Sequence, residues 1–172
     1  MIAHVLRGYA ALHRRDGSVE WRSDLLENTL MNQGEQDVLD VYLREQTHKT
    51  KYLAMLSMAG GNDPIDTDTI ATLSSAESST PGTNGYARQQ VLASDWAAAT
   101  LYGEDYRTTT SAAKVFGPFT STAPNVSHLL LCTTVSGVTS PATLALAWIS
   151  LGTVALVPIG QTFSFTPIAG AF

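Results

Sequence analysis

Only one cysteine, Cys132, occurs among the 172 residues. No intrachain disulfide and no cysteine metal cluster can form from it. It lies inside the apolar run His128 to Thr134 with nothing beside it to lower its pKa, so it reads as a small buried hydrophobe. Basic residues are few: ten Lys and Arg face fifteen Asp and Glu, giving a net charge of −5 and a pI near 5.2. They are scattered, which removes the electrostatic footprint of a protein that tracks a phosphate backbone; nucleic acid is not an expected partner. The stretch Met1 to Gly8 lacks a basic region followed by an apolar core of the usual length, so it does not read as a secretory signal.

Motifs that carry chemistry are missing as well. His4, His13, His48 and His128 are too dispersed for a metal-ligand spacing such as His-Glu-x-x-His, and no acidic loop matches an EF-hand. Neither a Gly-x-Ser-x-Gly turn nor a phosphate-cradling Gly-x-x-x-x-Gly-Lys-Ser/Thr occurs. Asp37 and Asp40 lie at helical spacing, but that spacing is common and reads as a solvated face. No catalytic residue, metal or cofactor is expected, and the chain reads as non-enzymatic.

The most informative absence is distributional. Lys114 is the last charged side chain, and Val115 to Phe172 contains no Asp, Glu, Lys or Arg. Soluble surfaces carry about 25–35% charged residues, so this composition points to a surface covered by something else. A membrane span is the first alternative, but Ser150, Gly152, Thr153 and Pro158 interrupt Thr143 to Gly160 and no Lys or Arg flanks it. Disorder is the second, and the abundance of Leu, Ile, Val, Phe and Trp opposes it. The third, a set of strands, has support from alternation. Leu144, Leu146 and Trp148 fall on one face of an extended chain and Ala145 and Ala147 on the other; Phe163 and Phe165 repeat the pattern. With turns at Ser150-Leu151-Gly152 and Pro158-Ile159-Gly160, strands are expected near 142–149, 153–158 and 161–167.

Earlier in the chain, Asp16-Gly17 is a two-residue hairpin signal, and residues 1–22 are expected to form a hairpin arm, either a ribbon lying on its own domain or an arm reaching a neighbour. Leu26, Leu30, Val38, Leu39, Tyr42 and Leu43 recur at three- and four-residue steps, which predicts a helix near 24–46, with a break at Gly34, packing its apolar face on a sheet. Lys51 to Met58 reads as the first main strand, ended by the turn formers Gly60 to Pro64. The Ser- and Thr-rich stretch Ser74 to Gly85 reads as a surface loop, Tyr86 to Val91 as a strand, and further strands are expected near 113–117 and 127–135. A set of about seven or eight strands suits an antiparallel β-sandwich, jelly-roll or Ig-like, with residues 23–172 as one domain.

The aromatic residues Trp96, Trp148, Tyr86, Phe116 and Phe119 have two readings, a sugar-stacking platform or the filling of a sandwich core. Arg88, following Gly85-Tyr86-Ala87, is placed to pair with an acidic neighbour or to donate to a loop carbonyl. Trp21, Tyr86, Arg88, Trp96, Phe116, Trp148, Phe163 and Phe165 are therefore the candidate structural or interface residues.

Five segments carry a resemblance: Lys51-Tyr52-Leu53-Ala54-Met55-Leu56, Thr83-Asn84-Gly85-Tyr86-Ala87-Arg88-Gln89, Phe116-Gly117-Pro118-Phe119, His128-Leu129-Leu130-Leu131, and Gly160-Gln161-Thr162-Phe163-Ser164-Phe165. Over residues 25–172 their order resembles small virion structural proteins of tailed bacteriophages with a β-sandwich body; the stretch before Ser23 departs from that pattern. The resemblance implies a virion protein without catalytic residues, partnered by itself and by other virion proteins. Its place would be the tail or neck apparatus, or alternatively the capsid surface as a decoration subunit. A carbohydrate-binding module is the alternative from a different class, and it requires exposed aromatics in a groove.

Overall fold

The computed structural model describes residues 7–58, 62–102, 106–121, 125–134 and 143–171. They form β1 (Arg7–His13), β2 (Val19–Arg22), β3 (Leu26–Leu30), α1 (Asn32–Leu43), β4 (Lys51–Leu56), α2 (Ile70–Leu73), β5 (Gln89–Val91), β6 (Thr100–Tyr102), β7 (Tyr106–Thr110), β8 (Lys114–Phe116), β9 (Asn125–Cys132), β10 (Ala145–Leu156) and β11 (Thr162–Ala171). Short 3₁₀ turns follow at Ser74–Ala76 and Ala93–Asp95.

The expected mainly β, antiparallel class is what the chain adopts. The strands make one 11-stranded sheet in the order β5-β4-β9-β10-β3-β1-β11-β7-β6, with β2 beside β1 and β8 beside β11. The sheet bends at β3. The start of that strand pairs with β1 (Gly8 opposite Leu26) and its end with β10 (Ala147 opposite Leu30), so two limbs curl over a shared core while remaining joined. Period-two burial places Ala10 and Leu12 of β1, Leu53 and Met55 of β4, Leu129 and Leu131 of β9, and Phe163 and Phe165 of β11 in that core. Gly8 faces the Phe165 ring so closely that a Cβ there would lie 2.3 Å from it.

A second cluster lies on the opposite face of the first limb. Met31, Ala54, Leu56, Ile70, Leu73, Leu130, Cys132 and Ala145 pack together beneath α2 and the adjoining 3₁₀ turn. The excursion is fastened to β4 by Ser57 N–H donating to the Ala76 carbonyl (2.6 Å) and Ser78 N–H donating to the Met55 carbonyl (2.8 Å). Thr69 and Thr72 cap the start of α2 reciprocally. Coverage on both faces explains why His128 to Cys132 is apolar without alternation, as in a strand with no solvent side.

Several expectations need correction. Residues 26–30 are strand, not helix: a spacing of four between Leu26 and Leu30 satisfies both the helical period and the strand period of two. Gly34 does not break α1 but lies within it. The hairpin forms, yet β1 is built into the sheet rather than projecting as an arm, with seven residues paired to β11 from Arg7↔Ile168 to His13↔Thr162. Its turn is longer than two residues: Arg14 N–H donates to the Ser18 carbonyl (2.9 Å) and Gly17 takes φ 83°, the left-handed position of a bulged three-residue loop. Residues 1–6 of that segment lie outside the described residues. Ser150-Leu151-Gly152 is not a turn between strands, because β10 runs on to Leu156. The glycine, at φ 70°, instead allows a wide irregularity between the pairs Ser150↔His128 and Ala155↔Val126. A second register shift at Leu146 turns that side chain into the inner core with Ala147 and Ile149, while Trp148 packs on the outer cluster. Leu146 and Trp148 thus lie on opposite faces.

Candidate functional site

Helix α1 carries the clearest departure from expectation. Most of its apolar residues do not pack on the sheet: Val38, Leu39, Tyr42 and Leu43 are 40, 55, 82 and 69% exposed. The side toward the body is instead formed by buried Gly34 and Asp37. At Gly34 the helix comes so close to β10 that a Cβ would lie 2.0 Å from the Leu146 carbonyl oxygen. That oxygen, displaced at the strand irregularity, accepts from Met31 N–H (2.9 Å), so the surface beneath α1 is polar backbone. Asp37 is held by Lys49 at 2.6 Å and Lys51 at 3.9 Å. Asp40 binds Arg44 at 2.8 Å along the helix surface, so the two carboxylates serve separate ion pairs.

The same lysines lead into a cleft of about 460 Å³. Leu53, Val91, Trp96, Leu131 and Pro167 give it an apolar lining, and His48, Lys49 and Lys51 a basic side. Trp96 is held there by a bridge to Ser111.

Arg88 is the centre of a buried clasp. Its Nε and Nη2 donate to the two carboxylate oxygens of Glu77 at 2.9 and 2.7 Å, and its Nη1 donates to the Thr134 carbonyl at 3.1 Å. Both sides of the pair are almost fully buried, at 2 and 6% exposure. Tyr86 adds its hydroxyl, donating to Glu77 (2.6 Å) and accepting from Met55 N–H (3.0 Å). Burial and then the Glu77 carboxylate push the Tyr86 pKa far above its ordinary value. Burial opposes the charge of Arg88, but the Glu77 hydrogen bond and neighbouring charges outweigh it and hold the guanidinium above its usual range. Burial likewise raises the Cys132 thiol. Sequence reasoning missed Glu77, although a carboxylate alone in a Ser- and Thr-rich stretch was the available signal.

Three of the segments that carry the resemblance meet in one place. Gly85 takes φ 75° and approaches the Pro118 carbonyl, where a Cβ would lie 2.2 Å away; Thr120 N–H donates to the Asn84 carbonyl at 3.0 Å. Gly160 N–H donates to the Phe119 carbonyl at 2.7 Å, and Phe119 N–H to the Gln161 carbonyl at 3.2 Å. Tyr86 stacks on Phe116 at 6.1 Å, and Phe116 meets Phe163 at 6.2 Å. Tyr86, Phe116, Phe163 and Phe165 therefore fill the core, as does Phe119. The three tryptophans are half-buried: Trp21 and Trp96 pack against the inner core and Trp148 against the outer cluster. Trp148 also meets the His128 ring edge-on at 5.5 Å, and its Nε1 is buried without a hydrogen-bond partner among the described residues.

His128 links Ser127 Oγ (2.9 Å from Nδ1) with Asp63 (2.8 Å from Nε2). This has the connectivity of an acid-base-hydroxyl relay, but Ser127 is buried within β9. Its Oγ also accepts from Met58 N–H at 2.8 Å and lies 3.3 Å from the Leu56 carbonyl. The chain of bonds ties Met58 and Asp63 to β9. Among the described residues no three His, Cys, Asp or Glu side chains converge as a metal-binding group, and no helix is long and apolar enough to cross a membrane. No protein-family model matches the chain, and no curated protein matches it.

Proposed function

We propose that this chain is a non-enzymatic structural subunit of a tailed-bacteriophage virion, with a sandwich-like body, assembling with copies of itself and with other virion proteins. The observation that carries the assembly reading is the stripe Val38, Leu39, Tyr42 and Leu43, turned to solvent while both hydrophobic clusters lie within the body. Exposed contiguous apolar surface marks a protein contact. The five sequence segments support the virion setting, in the tail or neck apparatus before capsid decoration. The carbohydrate-binding alternative is left with Trp96 at the cleft, because Tyr86, Phe116 and Phe119 fill the core.

Light scattering across a concentration series tests the assembly reading: a defined oligomer is expected, and a monomer at every concentration would remove it. Antibody labelling of phage particles whose genome encodes the chain tests its place. Label on the tail or neck is the expected result, label on the head would favour decoration, and unlabelled particles would overturn the virion setting.

A further inference from the structure

We infer that the α1 stripe of one copy docks over the apolar cleft of a second copy, reciprocally, in a two-fold dimer. This rests on the self-assembly reading above and names the surface that performs it. The stripe and the cleft are two apolar surfaces with opposite surroundings. Around the stripe, Asp40 is paired with Arg44, while Glu35 and Glu45 are exposed and have no ion pair among the described residues. At the cleft, Lys49 and Lys51 share one carboxylate, Asp37, and His48 stands beside them. The helix thus carries surplus negative charge and the cleft surplus positive charge, so each surface favours the other over a second copy of itself.

Position gives the symmetry. Asp37, on the buried side of α1, pairs with both cleft lysines, so the helix that carries the stripe stands beside the cleft on the same molecule. A surface that holds both halves of a contact is self-complementary about a two-fold axis, and each half is then used twice. The cleft, at about 460 Å³, has room for side chains projecting from a helix rather than for the helix itself. Tyr42 and Leu39, with Leu43 a turn farther along, are the projecting groups.

The test is the mass in solution of the full chain, of Leu39→Glu with Leu43→Glu, and of Ile159→Glu as an exposed apolar control in the turn before β11. The wild type and the control should dimerise. The double variant should raise the dissociation constant about thirtyfold or more while melting at the same temperature. Oxidising a mixture of Tyr42→Cys and Ala93→Cys chains should give a mixed cross-linked dimer, with Cys132 buried and out of the way. Unchanged association in the double variant would overturn this interface and leave the assembly reading standing. A monomeric wild type would overturn both. Cross-links only between two Tyr42→Cys chains would replace cleft docking with helix-on-helix pairing, and a closed ring larger than a dimer would overturn the two-fold arrangement.

Discussion

The two limbs of the sheet are built on different terms. In the limb containing β4 and β9, both faces are covered, and β9 is buried at every position after Asn125. In β1 of the other limb, burial alternates strictly, with Gly8, Ala10 and Leu12 inside and their neighbours part-exposed. The difference revises the meaning of the uncharged sequence after Lys114. That stretch supplies β9, β10 and β11, and much of its apolar content lies inside the two clusters rather than on a bare surface. The concentrated apolar exposure is on α1, inside the charged part of the chain. Absence of charge marked the interior, and helical periodicity marked the apolar face of α1 without showing that it turns to solvent.

The comparison can be broken most sharply at the clasp that closes the doubly covered limb. Glu77→Ala leaves Arg88 as a buried charge without its carboxylate, and equilibrium denaturation should show a loss of about 3–5 kcal/mol. A loss within the range of exposed ion pairs would mean that the cover over β4 opens without affecting the fold. The two clusters can be compared directly through adjacent residues: Leu129→Ala empties the inner one and Leu130→Ala the outer one, and each should cost about 2–5 kcal/mol. If Leu130→Ala cost less than about 1 kcal/mol, the outer cluster would be a loose covering and the limbs energetically alike.

Gly152→Ala probes the irregularity of β10 alone, because among the described residues nothing lies within 4 Å of the new Cβ and the backbone at φ 70° is what resists it. The same denaturation measurement should show a cost of about 1–2 kcal/mol. The smallest effect belongs to the other limb, where Lys114 binds Asp95. The Lys114 hydrogen bond, then the Leu92 amide, hold the Asp95 pKa below its ordinary value. A carboxylate depressed in the folded state adds stability above its unfolded pKa and loses it as pH falls through the folded value. Asp95→Asn should therefore flatten the acid side of a stability-pH curve, and an unchanged curve would deny the pair any part in it.

Much of the strand content was legible, because the alternation of Phe163 and Phe165 with smaller polar neighbours marks side chains that enter the core. Arg88 was legible through its chemistry, and its partner Glu77 was not, because the irregular Ser- and Thr-rich loop between them carries no periodic signal to link the pair. The direction of α1 was hidden for a different reason. Its pattern gives an apolar face but not what that face meets, and the docking geometry was set by a single close approach at Gly34 and by a carbonyl displaced from β10. The irregularities at Leu146 and Gly152 were invisible to a strict two-residue period, which assigns faces on the assumption that no residue is extra.

The pairing of β1 with β11 sets a constraint on biogenesis. Arg7 to His13 is made early and must wait for Thr162 to Ala171 before its hydrogen-bonding edge is satisfied. During synthesis the bend at β3 can form only on its N-terminal side until β10 emerges, so the nascent chain carries an open strand edge for most of translation. Such long-range closure slows folding and favours a late, all-at-once completion of the sheet. Until β10 has been made, α1 has no backbone to rest on and no fixed orientation.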